Sequence, residues 1–160
     1  MVVRITLKHP DEKFMRHALN EARKAAQKGE VPIGAVVVKD GKIIGRGHNL
    51  TEQKQSTLTH AELMALSKAS KKLKSWRLND CDLYVTLEPC TMCAGAIVLS
   101  RIRKLVYGAP DLKAGAVHST AQVMDNGKLN HRVHVTQGIL KEDCSSLLTN
   151  FFKEVRLKGK

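Results

Sequence analysis

The stretch Leu83-Tyr84-Val85-Thr86-Leu87-Glu88-Pro89-Cys90-Thr91-Met92-Cys93-Ala94-Gly95-Ala96-Ile97-Val98-Leu99-Ser100, followed after Lys104 by Leu105-Val106-Tyr107, decides the fold. Leu83 to Leu87 is apolar and β-rich and reads as a strand. Pro89 to Ser100 reads as a largely apolar helix, opened by a proline whose missing N–H has no partner in a first turn anyway. Leu105 to Tyr107 is a second strand. The order β-α-β makes the two strands parallel with a right-handed crossover, and ligands of such units collect at the carboxyl ends of the strands. Glu88-Pro89-Cys90 falls at one of those ends.

Outward from this unit, Met15, Ala18, Leu19, Ala22, Ala25 and Ala26 recur at helical spacing between a start at Pro10-Asp11-Glu12 and a stop at Gly29. Ile33 to Val38 and Lys42 to Arg46 flank Asp40-Gly41, a dipeptide suited to the tight turn of a hairpin. Leu63, Leu66, Ala69 and Leu73 predict a helix from His60 to about Lys74. Arg132 to Gln137 is a further strand, and Cys144, Leu147, Leu148, Phe151, Phe152 and Val155 form an apolar stripe on a last helix. Ala109 to His131 is long for a loop; it holds a short helix near Thr120 to Met124 or closes over a site. The expectation is one α/β domain over residues 1–160, three-layered, with a mixed sheet of about five strands and helices on both faces.

The 160 residues carry 27 Lys+Arg against 15 Asp+Glu, a net charge of +12. A chain of this size buries a core without a disulfide framework, so the four cysteines are expected as reduced thiols in the cytoplasm. Met1 to Pro10 has no cleavable apolar core, and no apolar run is long enough for a membrane span. The positive surplus points to a polyanion, most simply nucleic acid. Lys68, Lys71, Lys72, Lys74 and Arg77, with Arg101, Arg103 and Lys104, form two blocks expected to act as an electrostatic funnel for RNA.

Cys90 and Cys93 share one face of a first helical turn, where the positive helix end favours thiolate. Alone, the pair fits a zinc site, a redox pair or two buried thiols. His60-Ala61-Glu62 adds one imidazole and one carboxylate. One nitrogen and two thiolates are three ligands, the count that leaves zinc a position for water, and Glu62 is then the general acid/base. Residues two apart point about 200° apart on an ideal helix, so His60 and Glu62 converge only at a helix start.

Through His60-Ala61-Glu62 and Pro89-Cys90-Thr91-Met92-Cys93-Ala94-Gly95-Ala96 the chain resembles the zinc-dependent cytidine-deaminase-like superfamily. It is closer still to bacterial tRNA-specific adenosine deaminases, through Glu30-Val31-Pro32-Ile33-Gly34-Ala35, His48-Asn49, Thr86-Leu87-Glu88, Gly108-Ala109-Pro110-Asp111, Asn130-His131-Arg132 and Phe151-Phe152. The resemblance implies one Zn²⁺ per chain on His60, Cys90 and Cys93. It implies Glu62 as the group that takes a proton from the attacking water and delivers protons to the ring nitrogen and the leaving amine. Asn49 matches a position that hydrogen-bonds the target nucleoside. Val31, Ala61, Ala109 and Asp111 match pocket or flanking-nucleotide positions, and Phe152 lies on a helix that meets the RNA. The implied substrate is the wobble adenosine of a tRNA anticodon stem-loop, and the implied assembly a homodimer.

Three functions follow: tRNA adenosine deaminase, deaminase of a free base or nucleoside such as guanine or cytosine, and a non-catalytic zinc-stabilised RNA-binding module. Glu62 and the three-ligand count disfavour the third; the charge and the matches at Asn49, Asp111 and Phe152 disfavour the second. Cys81 and Cys144 are expected as core thiols, His9, His17, His118 and His134 as surface or loop residues, and Asp111 has a second reading as a turn former after Pro110.

Overall fold

A computed structural model describes residues 8–159; the reading of the first seven residues and the terminal Lys160 lie outside it. The elements are α1 (Glu12–Gln27), β1 (Gly34–Lys39), β2 (Lys42–His48), α2 (Thr51–Lys54), α3 (Ala61–Leu73), β3 (Cys81–Leu87), α4 (Thr91–Leu99), β4 (Lys104–Ala109), a 3₁₀ turn (Val123–Asp125), β5 (His134–Gln137) and α5 (Lys141–Lys158). The five strands make one mixed sheet in the order β2-β1-β3-β4-β5. β1 is antiparallel to both β2 and β3, while β3 and β4, the strands of the β-α-β unit, are parallel, as are β4 and β5.

Alternation along the strands builds two cores. In β1, Ala35 and Val37 face α3 and α4 with Leu83, Val85, Ile97, Leu105 and Tyr107. Val36 and Val38 face α1 and α5 with Met15, Leu19, Tyr84, Val106 and Cys144. The three layers are therefore helix, sheet, helix. The hairpin turns on Asp40 (φ 50°) and Gly41 (φ 74°), the paired positive angles that match the twist of the flanking strands.

Cys81 and Cys144 are buried core thiols, and all four cysteines are free. The segment after β4 fulfils both of its alternatives, lining a cleft with its first half and carrying the 3₁₀ turn in its second. α5 differs from the expected stripe. Only Cys144 is buried on it, and Phe152 and Val155 are exposed, because its last turns run clear of the sheet. Among the described residues no helix is long and apolar enough to cross a membrane.

Candidate active site

The carboxyl end of β3 and the start of α3 open on a cleft of about 300 Å³, lined by residues that include Val31, Asn49, His60, Ala61, Glu62, Cys90 and Asp111. That is the lower end of the usual range for small-ligand sites, about 300–1,000 Å³. His60 and Cys90 are the N-cap residues of α3 and α4, each with extended backbone and no side-chain cap bond. The orphan N–H groups of two helix starts thus converge on the same corner, where they favour negative charge. Because His60 stands just outside the helix, the 200° problem disappears. Its ring and the Glu62 carboxyl line one cleft.

His60 Nδ1, Cys90 Sγ and Cys93 Sγ all lie within 4.8 Å of one another. Nδ1 is 3.7 Å from the Cys90 sulfur and 3.5 Å from that of Cys93. Zn–S bonds of about 2.3 Å and Zn–N bonds of about 2.0–2.1 Å at tetrahedral angles put sulfur and nitrogen about 3.6 Å apart. The donor triangle therefore fits zinc in both chemistry and size. Bonds from Cys93 and then His60 draw the Cys90 thiol down to about 3, so it stands as a thiolate. Its bond to Cys90, together with burial, pushes Cys93 the other way. Burial raises the Glu62 carboxyl to about 7, which lets it hold or release a proton near neutrality.

Asn49 is buried at 6% exposure. Its Oδ1 accepts from Thr51 N (3.2 Å) and Thr51 Oγ1 (2.6 Å), and its Nδ2 donates to the Val31 carbonyl (3.4 Å). An amide nitrogen has two hydrogens, so one donor is left for a ligand. Asp111 meets both of its readings: it lines the cleft, and its Oδ1 accepts from Lys113 N and Ala114 N, each at 3.1 Å, as a turn former does. Ala109 does not line the cleft. The methyl at the end of β4 joins the core under α1 with Met15 and Leu19, and what it offers nearby is its carbonyl, which accepts from Glu88 N–H. Phe152 stands outside the cleft on the exposed side of α5, packed edge-on against Phe151. Glu88 lines the cleft at the strand end where ligands were expected to collect, and Glu30, Thr51, Glu52 and Ala114 line it without having been singled out for it.

The funnel expectation is corrected by the direction of the helices. α3 and α4 begin at the cleft and run away from it, so Lys68 to Lys74 lie roughly 12–20 Å down α3. Bonds from Leu78 N to Ser100 O and from Arg103 N to Cys81 O join both basic blocks at that far end. Arg103 and Lys104 are moreover paired with Asp82 and Asp11. Cations at the cleft end are different ones. Lys28 touches His48, Lys54 ends the short helix that gives Thr51 and Glu52 to the cleft, Lys113 stands next to the lining residue Ala114, and Lys158 borders a groove between α5 and the end of α1 at Gly29, next to Glu30.

The MafB19-like deaminase family matches residues 9–156. A tRNA-specific adenosine deaminase of Bacillus subtilis is 49% identical over 150 residues, 94% of this chain and 93% of that protein. A solved structure from a study of A-to-I editing by tRNA:A34 deaminases at the wobble position superposes with a TM-score of 0.82 at 45% identity, covering 85% of this chain and 99% of that one. A guanine deaminase from Nitrosomonas europaea gives a TM-score of 0.77 at 28% identity, over 91% of this chain and 85% of that one. The His60-Cys90-Cys93 triangle, the buried glutamate and near-complete coverage agree: the chain belongs to the MafB19-like deaminase family and to the tRNA-specific adenosine deaminases.

Proposed function

We propose that this chain, as one domain, hydrolyses adenosine to inosine at the wobble position of a tRNA anticodon loop. The observation that carries the reading is the meeting of the His60-Cys90-Cys93 triangle and buried Glu62 in one cleft, in a chain half identical to enzymes bearing that name. The three side chains would hold one zinc ion per chain, which when bound supplies a polarised water as nucleophile. Glu62 takes a proton from that water. It hands that proton to the ring nitrogen as the C6–O bond forms, then takes the remaining proton from the new C6 hydroxyl and passes it to the amine; the C6–N bond breaks and ammonia leaves. The spare Asn49 donor orients the nucleoside between Val31 and Ala61, while Asp111 and Ala114 close the side of the cleft. A base already splayed in a loop reaches such a pocket at little unstacking cost.

Phe152 and the cations near it on α5 would receive RNA beyond the pocket. Trp76 (60% exposed) and Leu99 (72% exposed) flank a shallow apolar groove between α3 and α4, a fitting seam for a homodimer. A tRNA substrate and free thiols both suit a reducing compartment, which supports a cytoplasmic reading. A free-base substrate is the second reading, favoured by the likeness to the guanine deaminase.

The test is inosine in an anticodon stem-loop. Wild type should form it, and Glu62→Ala should keep zinc while losing at least about 10³-fold in turnover, since proton transfer is its role. Loss of zinc from that variant would make Glu62 a ligand and overturn the mechanism.

A further inference from the structure

Two carboxylates that line the cleft without a part in the proton transfers are more buried than Glu62: Glu30 is 1% exposed and Glu88 2%. Among the described residues neither is paired with a cation. Each accepts hydrogen bonds from the backbone of one wall, Glu88 from the loop after β4 and Glu30 from the first turn of α2. Glu88 Oε1 accepts from Asp111 N (3.2 Å) and Ser119 Oγ (2.6 Å); its Oε2 accepts from Val117 N (3.1 Å), His118 N (3.0 Å) and Ser119 N (3.0 Å). Glu30 accepts from Gln53 N (2.6 Å) and Glu52 N (3.2 Å).

Four amides and a hydroxyl aimed at two oxygens fit only an acceptor. The loop is moulded around this one. A methyl on Gly115 would overlap the Glu88 carboxyl carbon, and Gly115 bridges to Cys90 while Ala116 N donates to Pro89 O (2.8 Å). The held segments carry the nucleoside-facing groups. Glu88 fixes Asp111 and, within the loop, Ala114. Glu30 fixes residues 52 and 53, whose neighbour Thr51 holds the Asn49 amide.

We propose that Glu88 and Glu30 are positioning residues for the substrate, each locking one wall of the cleft through backbone amides, those of the loop after β4 for Glu88 and those of the start of α2 for Glu30. The proposal rests on the nucleoside reading above. It assigns the two side chains to binding geometry and leaves the proton transfers to Glu62.

The measurement is steady-state kinetics of zinc-loaded Glu88→Gln and Glu30→Gln on an anticodon stem-loop, with zinc content and melting temperature recorded. Glutamine keeps the shape but sets N–H against N–H, so KM should rise at least about tenfold with kcat within about threefold, more for Glu88 than for Glu30. Ser119→Ala removes one bond of five and should raise KM about two- to fourfold; it decides the matter if Glu88→Gln does not fold. Unchanged KM in a folded, zinc-loaded variant overturns the proposal. So does a fall in kcat at constant KM, which would put the carboxylate in the chemistry. Amide hydrogen exchange reads the lock without substrate: faster exchange in Glu88→Gln confined to residues 111–119 supports it, and uniform or absent change overturns it. Should wild type not act on RNA, the proposed function fails while this exchange result still decides the lock.

Discussion

The acid/base role proposed for Glu62 rests on its burial. At 4% exposure its carboxylate loses hydration, and the resulting rise to about 7 keeps the acid and base forms close in energy. His60 faces the same cleft from the N-cap position, outside the helix that holds Glu62. Removing either kind of ligand should release the metal: Cys90→Ala and His60→Ala are expected to fall below about a tenth of a zinc per chain by elemental analysis, with the fold retained by circular dichroism. Zinc bound as in wild type would contradict the triangle. These residues were legible in the sequence because their chemistry is tied to short spacings. Glu30 and Glu88 were not, since a side chain that bonds amides 22 to 31 residues away leaves no periodic trace.

Periodicity carried the elements well. The β-α-β unit, the hairpin and α1, α3 and α4 stand where apolar spacing put them, with ends shifted by one or two residues. α2 was invisible, as four residues with none buried have no period to show. Elements are also tied by polar contacts that patterning cannot reveal. Glu21, on the inner side of α1, accepts from Lys24 at 2.7 Å and contacts His48 of β2 at 3.0 Å. Burial alone would raise its carboxyl, but the bonds from Lys24 and His48 outweigh that and hold it below the usual range. A depressed folded value means that the stabilisation is present above the unfolded value near 4.5 and is lost as pH falls through the folded one. Glu21→Gln should therefore be less stable than wild type by about 1–3 kcal/mol at pH 7, with the difference shrinking below about pH 4 in urea titrations. A difference that does not change with pH would contradict this.

At the scale of the molecule, charge was read correctly in amount and misplaced in space. With His60 and Glu62 at the start of α3, the lysines further along that helix are carried away from the site, however near they stand in sequence. The cations left near the cleft, with Lys153 and Arg156 on α5, suffice for about five phosphates, so affinity for an anticodon stem-loop should fall about a hundredfold between about 50 and 200 mM salt. Charge reversal at Lys71 and Lys72 should leave that slope unchanged, whereas reversal at Lys153 and Arg156 should flatten it; the opposite pattern would restore the far-end funnel. Sedimentation should give twice 17.7 kDa, shifting to the single-chain mass in Trp76→Glu/Leu99→Glu. The substrate is the central claim, and a competition tests it most directly. Zinc-loaded enzyme is given an anticodon stem-loop with adenosine at the wobble position together with free guanine, cytosine and adenosine, and the deaminated products are counted by mass spectrometry. Inosine in the RNA, with the free compounds left intact, is the predicted result; xanthine or uracil forming faster than inosine in the RNA would contradict it.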